Sequence, residues 1–392
     1  MELTVNERIA NNVEVMQKVR LKHIVKISKG KKSIEVNSSN LRYIQIGDLR
    51  NDNNLKYAEH SKSNVLCTKN DVLIAWDGAN AGTIGYNLEG AVGSTLAKLV
   101  INDNYKIFPN FLGRFLQTKS KSLRDNCSGA TIPHISKSEL ENIEIPLPSL
   151  LTQQKIAEIL DTADQLRQYN KQLIEKYDAL TQSYFLEMFG DPVRNKKGWE
   201  VTSIRELCSE VKYGTSEKSI ENGTFSYLRM NNITYGGYMD FSNLKYIDIP
   251  EKDLHKYLVK KGDILFNRTN SKELVGKTGL ITTDQEYIIA GYLIRVRTNE
   301  LANPYYIWAH LNSKWSKMTL NNMCKNIVGM ANINAQELQD IQILKAPILL
   351  QNQFAERVQI IETQKQQAQE ALAKSEDLFQ GLLQRAFKGE LV

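Results

Sequence analysis

The chain is poor in the residues that staple, ligate and attack. Of its 392 residues only four are cysteine and five histidine. Cys67, Cys127, Cys208 and Cys324 are scattered and form no C-x-x-C pair, which leaves no zinc pattern and no disulfide framework. Reduced thiols in a cytosol are the simplest expectation. His23, His60, His134, His255 and His310 show no H-E-x-x-H spacing, and none sits near a cysteine, so each reads as an ordinary surface or packing histidine and no metal is expected. No apolar run is long enough to cross a bilayer. The opening Met1-Glu2-Leu3-Thr4-Val5-Asn6-Glu7 lacks the basic and apolar regions of a signal peptide. The expectation is a cytoplasmic chain with no membrane partner.

Catalytic patterns are equally scarce. Gly276-Lys277-Thr278 has the tail of a phosphate loop, but Ser271 stands where the upstream glycine is required. Asn303-Pro304-Tyr305-Tyr306 is one proline short of the Asn-Pro-Pro-Tyr/Phe of amino-methyltransferases, and a helix start with Asn as cap and Pro in the first turn explains it better. Carboxylates are plentiful, yet no pair stands out. Nothing supports nucleophilic, metal or acid–base catalysis, so a chain with no catalytic residue and no cofactor of its own is expected.

The bulk numbers are those of an ordinary globular protein, with 42% hydrophobic and 24% charged residues. The length has room for two or three domains. A net charge of +6 fits a nucleic-acid partner without demanding one.

The dominant feature is a repeat. Glu139–Phe189 lies on Glu337–Phe387 without a gap, 198 positions later, with 13 identities in 51 positions. Among the matches are Ile143 with Ile341, Ile145 with Ile343, Gln153 with Gln351, Ala157-Glu158 with Ala355-Glu356, and Phe189 with Phe387. Two copies of one structural unit follow. Upstream, Gly30 matches Gly214 at an offset of 184 and Asp71 matches Asp263 at 192, so insertions fall in the globular part and none in the segment that ends each half. The boundaries expected are a globular domain over 1–148, a helix over 149–190, a second domain over 191–346 and a second helix over 347–392. Residues 1–18 could form a short helix. Leu41–Ile46 and Asp71–Trp76 read as strands, Ile143–Pro146 as a last short strand, and Pro109 and Pro304 as helix starts. The fold class expected is mixed α/β (α+β).

Each closing helix has heptad spacing. In the first copy Ile156, Ala163, Asn170, Tyr177 and Tyr184 recur every seven, with Ile159, Leu166, Leu173 and Leu180 three residues after the first four. In the second copy Phe354, Ile361, Ala368, Ser375 and Leu382 form one series and Val358, Lys365, Leu372, Phe379 and Ala386 the other. This is the pattern of a coiled coil, and the two copies are the obvious partners, antiparallel because a whole domain separates them. The packing residues expected are Ile156, Ile159, Leu166, Leu173, Tyr177 and Leu180 against Phe354, Val358, Ile361, Leu372, Phe379 and Leu382. Asn170, polar at a heptad position, either fixes register or faces water.

The loops carry polar residues at matching places in both halves. The first set is Lys29, Lys31, Lys32, Arg42, Gln45 and Arg50, with Trp76, Asn80 and Thr83. The second is Lys212, Tyr213, Arg229, Asn231 and Asn232, then Asn267-Arg268-Thr269-Asn270-Ser271-Lys272. Arg, Asn and Gln read base edges; Lys and Ser suit phosphates. For any one residue hydrated surface is the plainer explanation; the recurrence in both halves favours DNA contact for the set.

With these features together the chain resembles the specificity subunits of type I restriction–modification systems over essentially its whole length. The carrying segments are Leu140–Pro148 with Gln153–Leu160, and Leu338–Ile343 with Gln351–Val358. Two departures are the loss of the second Pro-x-Pro, replaced by Leu344-Lys345-Ala346-Pro347, and the absence from the first half of the Gly198-Trp199 pair that opens the second. The resemblance implies a prokaryotic, non-catalytic DNA reader in which two target recognition domains each take one part of a split double-stranded site. The helices would set the spacing and dock two methyltransferase subunits, which would bring S-adenosylmethionine. Two restriction subunits would bring ATP and Mg²⁺. The alternatives are a stand-alone DNA methyltransferase and a coiled-coil protein scaffold.

Overall fold

The computed structural model describes residues 17–129, 131–327 and 330–391. The short helix expected over 1–18 therefore lies outside the described residues except at its end. There Gln17 and Lys18 are strand, because their backbone pairs with Leu147 and Pro146. The chain divides into two compact units, Met1–Tyr169 with Leu372–Val392, and Asn170–Ala371.

The main elements of the first unit are β1 (Gln17–Arg20), β2 (Val25–Lys29), β3 (Tyr43–Ile44), β4 (Val72–Ala75), β5 (Ile84–Tyr86), β6 (Gly90–Val92), β7 (Leu96–Ile101), α1 (Pro109–Asp125), α2 (Lys137–Asn142), β8 (Glu144–Leu147) and the first part of α3 (Leu150–Phe189). An antiparallel sheet in the order β2-β7-β4-β5 forms its centre. All four residues of β4 are buried, since the sheet is covered on both faces. Val72 and Ile74 meet Phe111, Phe115 and Ile156 from the helices, while Leu73 and Ala75 meet Ile44 and Val92 from the paired β3 and β6. The strand expected over Leu41–Ile46 is only Tyr43–Ile44. The Asp48 carboxylate accepts the Gln45 N–H at 2.8 Å and turns the chain into a 3-10 segment at Ile46–Leu49.

The second unit repeats this list as β9 (Glu200–Ser203), β10 (Cys208–Tyr213), β11 (Phe225–Leu228), β12 (Ile264–Asn267), β13 (Thr278–Leu280), β14 (Tyr287–Ile289), β15 (Leu293–Thr298), α4 (Pro304–Asn312), α5 (Lys314–Met323), α6 (Ala335–Gln339), β16 (Gln342–Lys345) and α7 (Ile348–Lys388). Its central sheet runs β10-β15-β12-β13, again antiparallel. Ile264 and Phe266 face the helices and Leu265 faces Leu228 and Ile289. Asn303 caps α4 by accepting the Tyr305 N–H at 3.0 Å, with Pro304 in the first turn. Where α1 is continuous, its counterpart breaks at Ser313, whose hydroxyl caps α5 through the Ser316 N–H at 3.1 Å. Gly30 and Gly214 recur because a Cβ at either would lie 2.2 Å from the Gly93 carbonyl oxygen or 2.3 Å from that of Ala290, each just past a crossing strand.

One buried side chain joins each unit to its long helix. Gln153 accepts the Phe108 N–H at 2.9 Å and donates to the carbonyls of Lys106 (3.1 Å) and Pro148 (3.0 Å). Gln351 accepts the Asn303 N–H at 2.8 Å and donates to Leu301 (3.2 Å) and Ala346 (2.8 Å). Each amide thus clamps the start of the long helix, the entry to α1 or α4, and the chain just past β8 or β16.

Helices α3 and α7 have 40 and 41 residues, about 60 Å each at 1.5 Å per residue. They begin beside the expected boundaries at 149 and 347, but each is shared between the units, because Phe185 and Phe189 join the core of the second and Phe379 that of the first. In α7 the heptad positions Phe354, Val358, Ile361, Lys365, Ala368, Ser375, Phe379 and Ala386 are buried, as are Gln351 and Ala355, with Leu372 and Leu382 half-buried.

The first copy requires a correction. Ile156 and Ala163 are buried and Tyr177 is half-buried, but Ile159 is only half-buried and Leu166, Leu173 and Leu180 are 46%, 39% and 37% exposed. The inward series is one residue further on: Leu160, Arg167, Ile174, Thr181 and Met188. This is the register of Val358, Lys365, Leu372, Phe379 and Ala386 less 198. A polar arginine and threonine occupy core positions while leucines lie beside them on the surface.

The inward cations explain the exchange. In the first unit Arg167 lies 3.7 Å from Glu376 and 4.4 Å over the Phe379 ring. In the second, Lys365 lies 2.5 Å from Asp178. The repeat maps Arg167 onto Lys365 and Asp178 onto Glu376, so the two ion pairs are images of each other, and within each unit the helices run antiparallel. Replacing Gln351 by the isosteric Met strands one N–H and two carbonyls at about 1–3 kcal/mol each. Gln351→Met should lower the urea midpoint clearly. Gln364→Met, on the exposed face of the same helix, should stay within about 0.5 kcal/mol of the parent.

Candidate nucleic-acid interface

In the first unit the expected residues fall into three groups. Lys29, at the end of β2, pairs with Asp77 at 3.1 Å and lies 5.8 Å from the centre of the Trp76 ring. Asp77 also bonds His134 Nδ1 at 2.6 Å. Burial works against the Asp77 charge, but His134 and Lys29 hold its carboxyl below the usual range. Arg50, Asn80 and Thr83 come together, with the Arg50 guanidinium donating to Asn80 Oδ1 at 2.7 Å and Thr83 Oγ1 at 3.4 Å. Lys31 and Lys32 are exposed beside the Lys29 strand end.

Arg42 and Gln45 belong to the frame. Arg42 donates to Asp48 at 2.9 Å and Asp52 at 2.6 Å. Burial disfavours its charge, yet the two carboxylates raise its pKa above the ordinary value. Gln45 is half-buried and starts the 3-10 turn capped by Asp48. An arginine already satisfied by two carboxylates has little left to give a base.

In the second unit Tyr213 ends β10. Its hydroxyl accepts the Ala335 N–H at 2.8 Å, which fixes the ring. The Arg268 guanidinium carbon lies over that ring, 4.8 Å from its centre. Its remaining contacts are long, 3.4 Å to the Gly291 carbonyl and 3.5 Å to Asn332 Oδ1. Asn332 in turn donates to Thr269 Oγ1 at 3.0 Å. Asn231 and Lys272 are exposed, and Asn270 is half-buried with its Oδ1 accepting the Ser271 N–H at 2.9 Å. Lys212 pairs with Glu210 at 2.8 Å; burial resists the Glu210 charge, but Lys212 and Arg295 hold it below its usual range.

Asn232 is a correction. It is 2% exposed, accepts the Arg229 N–H at 2.9 Å, and donates to the carbonyls of Asp240 (2.9 Å) and Asn243 (3.3 Å). Its amide is consumed inside the domain and cannot reach DNA. It plays the part of Asp48 in the first unit. Arg229 spends one donor on the Asn243 carbonyl at 3.1 Å.

Lys277 is buried and donates to the carbonyls of Met230 (2.8 Å) and Ile233 (2.5 Å), and burial pushes its ammonium pKa down. Its neighbour Lys317, pushed down to about 8 by burial and by Lys277, donates to the Gly276 carbonyl at 2.8 Å. Both cations serve the backbone here, not a phosphate. Among the described residues no group of three His, Cys, Asp or Glu is placed to hold a metal, and no helix is long and apolar enough to cross a membrane.

Sequence reasoning passed over Asp77, His134 and Asn332. Their signal is pairing across strands distant in sequence, which no local pattern carries. Beside α3 in the first unit there is also an apolar groove of about 610 Å³, lined by Ile159, Ala163, Leu166, Tyr169, Leu378 and Leu382.

The family model for the type I restriction modification DNA specificity domain matches the chain twice, at residues 13–177 and 196–372. The EcoKI specificity subunit of Escherichia coli K12 is 28% identical over 316 residues, 74% of this chain and 68% of that protein. The MjaVIII specificity subunit of Methanocaldococcus jannaschii is 29% identical over 273 residues, 63% of this chain and 62% of that one. The crystal structure of a type I system S subunit from M. genitalium superposes with a TM-score of 0.64 at 16% identity, covering 98% of both chains. At that identity the likeness is one of fold. A polypeptide from a structure of type I complex assembly and conformational transition gives 0.54 at 18% identity, over 96% of this chain and 98% of that one.

Replacing Asn232 by Ala strands an N–H and two carbonyls, at about 1–3 kcal/mol each. Asn232→Ala should lower the thermal midpoint. Asn231→Ala, one residue away and exposed, should leave it within the shift expected of about 0.5 kcal/mol.

Proposed function

Since the chain belongs to the type I restriction modification DNA specificity domain family, we propose that it reads a split DNA target, one half-site per unit, on behalf of a methyltransferase and a restriction nuclease. The observation that carries this reading is the duplicated frame with non-duplicated polar side chains. Strand order, capping turns and the glutamine clamp recur in both units, while the residues at the exposed strand ends differ. Two copies of one scaffold with different readers suit a target of two unlike parts separated by an unread gap.

In this reading the chain is cytoplasmic and non-catalytic, and binds no cofactor itself. Two methyltransferase subunits hold S-adenosylmethionine, and two restriction subunits hold ATP and Mg²⁺. Helices α3 and α7 set the spacing of the half-sites. In the first unit the outward Ile159 and Leu166 form a second apolar stripe on a helix whose inner face is already occupied. With the groove beside Leu378 it supplies the surface on which a methyltransferase subunit docks.

Mapping of methylated sites in cells that carry the chain with its methyltransferase partner tests this directly. A motif of two specified blocks around a gap of fixed length is expected. A continuous motif, or methyl transfer by the purified chain alone, would defeat the reading. An assembled complex that binds its target no better than random duplex would leave only a protein scaffold. The docking surface is tested by Leu166→Glu combined with Leu378→Glu. Both side chains are exposed, at 46% and 52%, so the chain should fold normally yet fail to co-elute with the methyltransferase.

A further inference from the structure

The two strand-end constellations occupy the same backbone positions. The Trp76 N–H donates to the Thr95 carbonyl at 2.8 Å, and the Trp76 carbonyl accepts the Ile135 N–H at 2.9 Å. Arg268 does the same with Tyr292 (3.0 Å) and Ile333 (2.9 Å). Lys29 and Tyr213 each precede the glycine whose N–H reaches the first residue of the neighbouring strand, Gly30 to Leu96 and Gly214 to Leu293. Asp77 faces His134 across a backbone bridge, as Thr269 faces Asn332. Four positions therefore correspond: 29 with 213, 76 with 268, 77 with 269, and 134 with 332.

In both units the first two positions bring a cation over an aromatic ring, but with the roles exchanged. Lys29 approaches the ring of Trp76 in one, and Arg268 lies over the ring of Tyr213 in the other. The third and fourth positions hold a polar pair, Asp77 with His134 and Thr269 with Asn332. The exchange changes which donors and apolar faces are presented from a fixed backbone.

We infer that these four corresponding positions form the base-reading site of each unit, and that Arg268 reads a guanine in the half-site taken by the second. The inference rests on the functional reading above and names the residues through which it acts. Arg42, Arg114, Arg295 and Arg297 are each bonded to carboxylates. Among the described residues Arg268 has no carboxylate partner, and its two side-chain bonds are at the long limit. The Tyr213 ring, held through its hydroxyl, lies 4.8 Å from the guanidinium carbon. A half-exposed, oriented, weakly satisfied guanidinium matches the paired O6 and N7 acceptors of guanine in the major groove. Trp76 offers one N–H and an apolar face, which suits a thymine methyl and cannot form the two-pronged guanine contact. Lys29, its neighbour, is engaged by Asp77.

The test uses the chain assembled with its methyltransferase partner and duplexes that carry every base at each position of the mapped target. Arg268→Lys keeps a cation over Tyr213 but removes the fork. Guanine preference at one position of one half-site should fall between about fivefold and about 150-fold, with the other half-site unchanged. Trp76→Ala should relax one position of the other half-site alone. Retained selectivity at the untouched half-site shows that the variant is folded. Were Arg268→Ala to disrupt assembly, Arg268→Lys still gives the reading. An unaltered preference in Arg268→Lys, or a uniform loss across all sequences, would overturn the inference. A parent complex without any bipartite preference would instead overturn the functional reading itself.

Discussion

The structure depends on a buried primary amide. Gln153 and Gln351 are 1% and 0% exposed, and an amide so placed must find partners for its oxygen and both hydrogens. It finds them in three segments that are separate in sequence. Once those bonds form, the exit strand, the entry to the following domain helix and the first turn of the long helix can no longer move independently. A recognition domain on a flexible joint could sample many approaches to DNA. Here the joint is a set of three hydrogen bonds from a buried amide, each costly to break without replacement.

That constraint accounts for the pattern of insertions. Gly30 corresponds to Gly214, Trp76 to Arg268 and Ile135 to Ile333 by their backbone bonds, so the offset grows along the domain and is fixed at 198 from Ile135 onward. Growth in an exposed loop costs little. Growth between Gln153 and Phe189 would rotate everything beyond it by about 100° per residue and take the inward series off its stripe. The repeat is gapless because both its ends are anchored, one by the clamp and the other by Phe185 and Phe189 or by Phe387. Phe387 packs on Phe111 at 5.5 Å and Phe115 at 5.1 Å.

Much of the frame was legible in the sequence because it is written in apolar letters or in repetition. The buried strand after Asp71, the paired helix starts at Pro109 and Pro304, and the long closing helices all follow from period or from turn chemistry. The matched glutamines could be seen as a coincidence of letters, but their role as clamps could not. The first heptad was misplaced by one residue because Leu166, Leu173 and Leu180 outrank Arg167 and Thr181 on any scale of hydrophobicity. Only the second copy, where Val358 and Phe379 occupy the same series, carries the register plainly. Asn232 illustrates the opposite error: an asparagine in a polar loop looks available, and its burial is set by the Asp240–Asn243 turn, which no local pattern announces.

The two units also solve one problem with different chemistry. In the first, Arg114 from α1 donates to Asp161 at 2.7 Å and Asp164 at 2.9 Å on α3, and the Tyr86 hydroxyl joins Asp161 at 2.7 Å. In the second, the repeat places Gln359 and Glu362 at those acidic positions and Ala309 at that of the arginine. The Arg114 lock has no counterpart there among the described residues, and the cation that remains is Lys365, the image of Arg167, which lies 3.3 Å over the Tyr238 ring while paired with Asp178. Burial raises the Glu362 pKa beside it, partly offset by Lys365. A polar lock that one unit lacks is replaceable; the glutamine clamp, which satisfies backbone groups, is not, because the backbone offers the same N–H and two carbonyls whatever the side chains around them. Variation is left room where side chains meet side chains or solvent, and the contacts of Lys29 with Trp76 and of Arg268 with Tyr213 at the strand ends are of that kind. A protein that must change what it reads without changing how it is held has its freedom where this backbone leaves it.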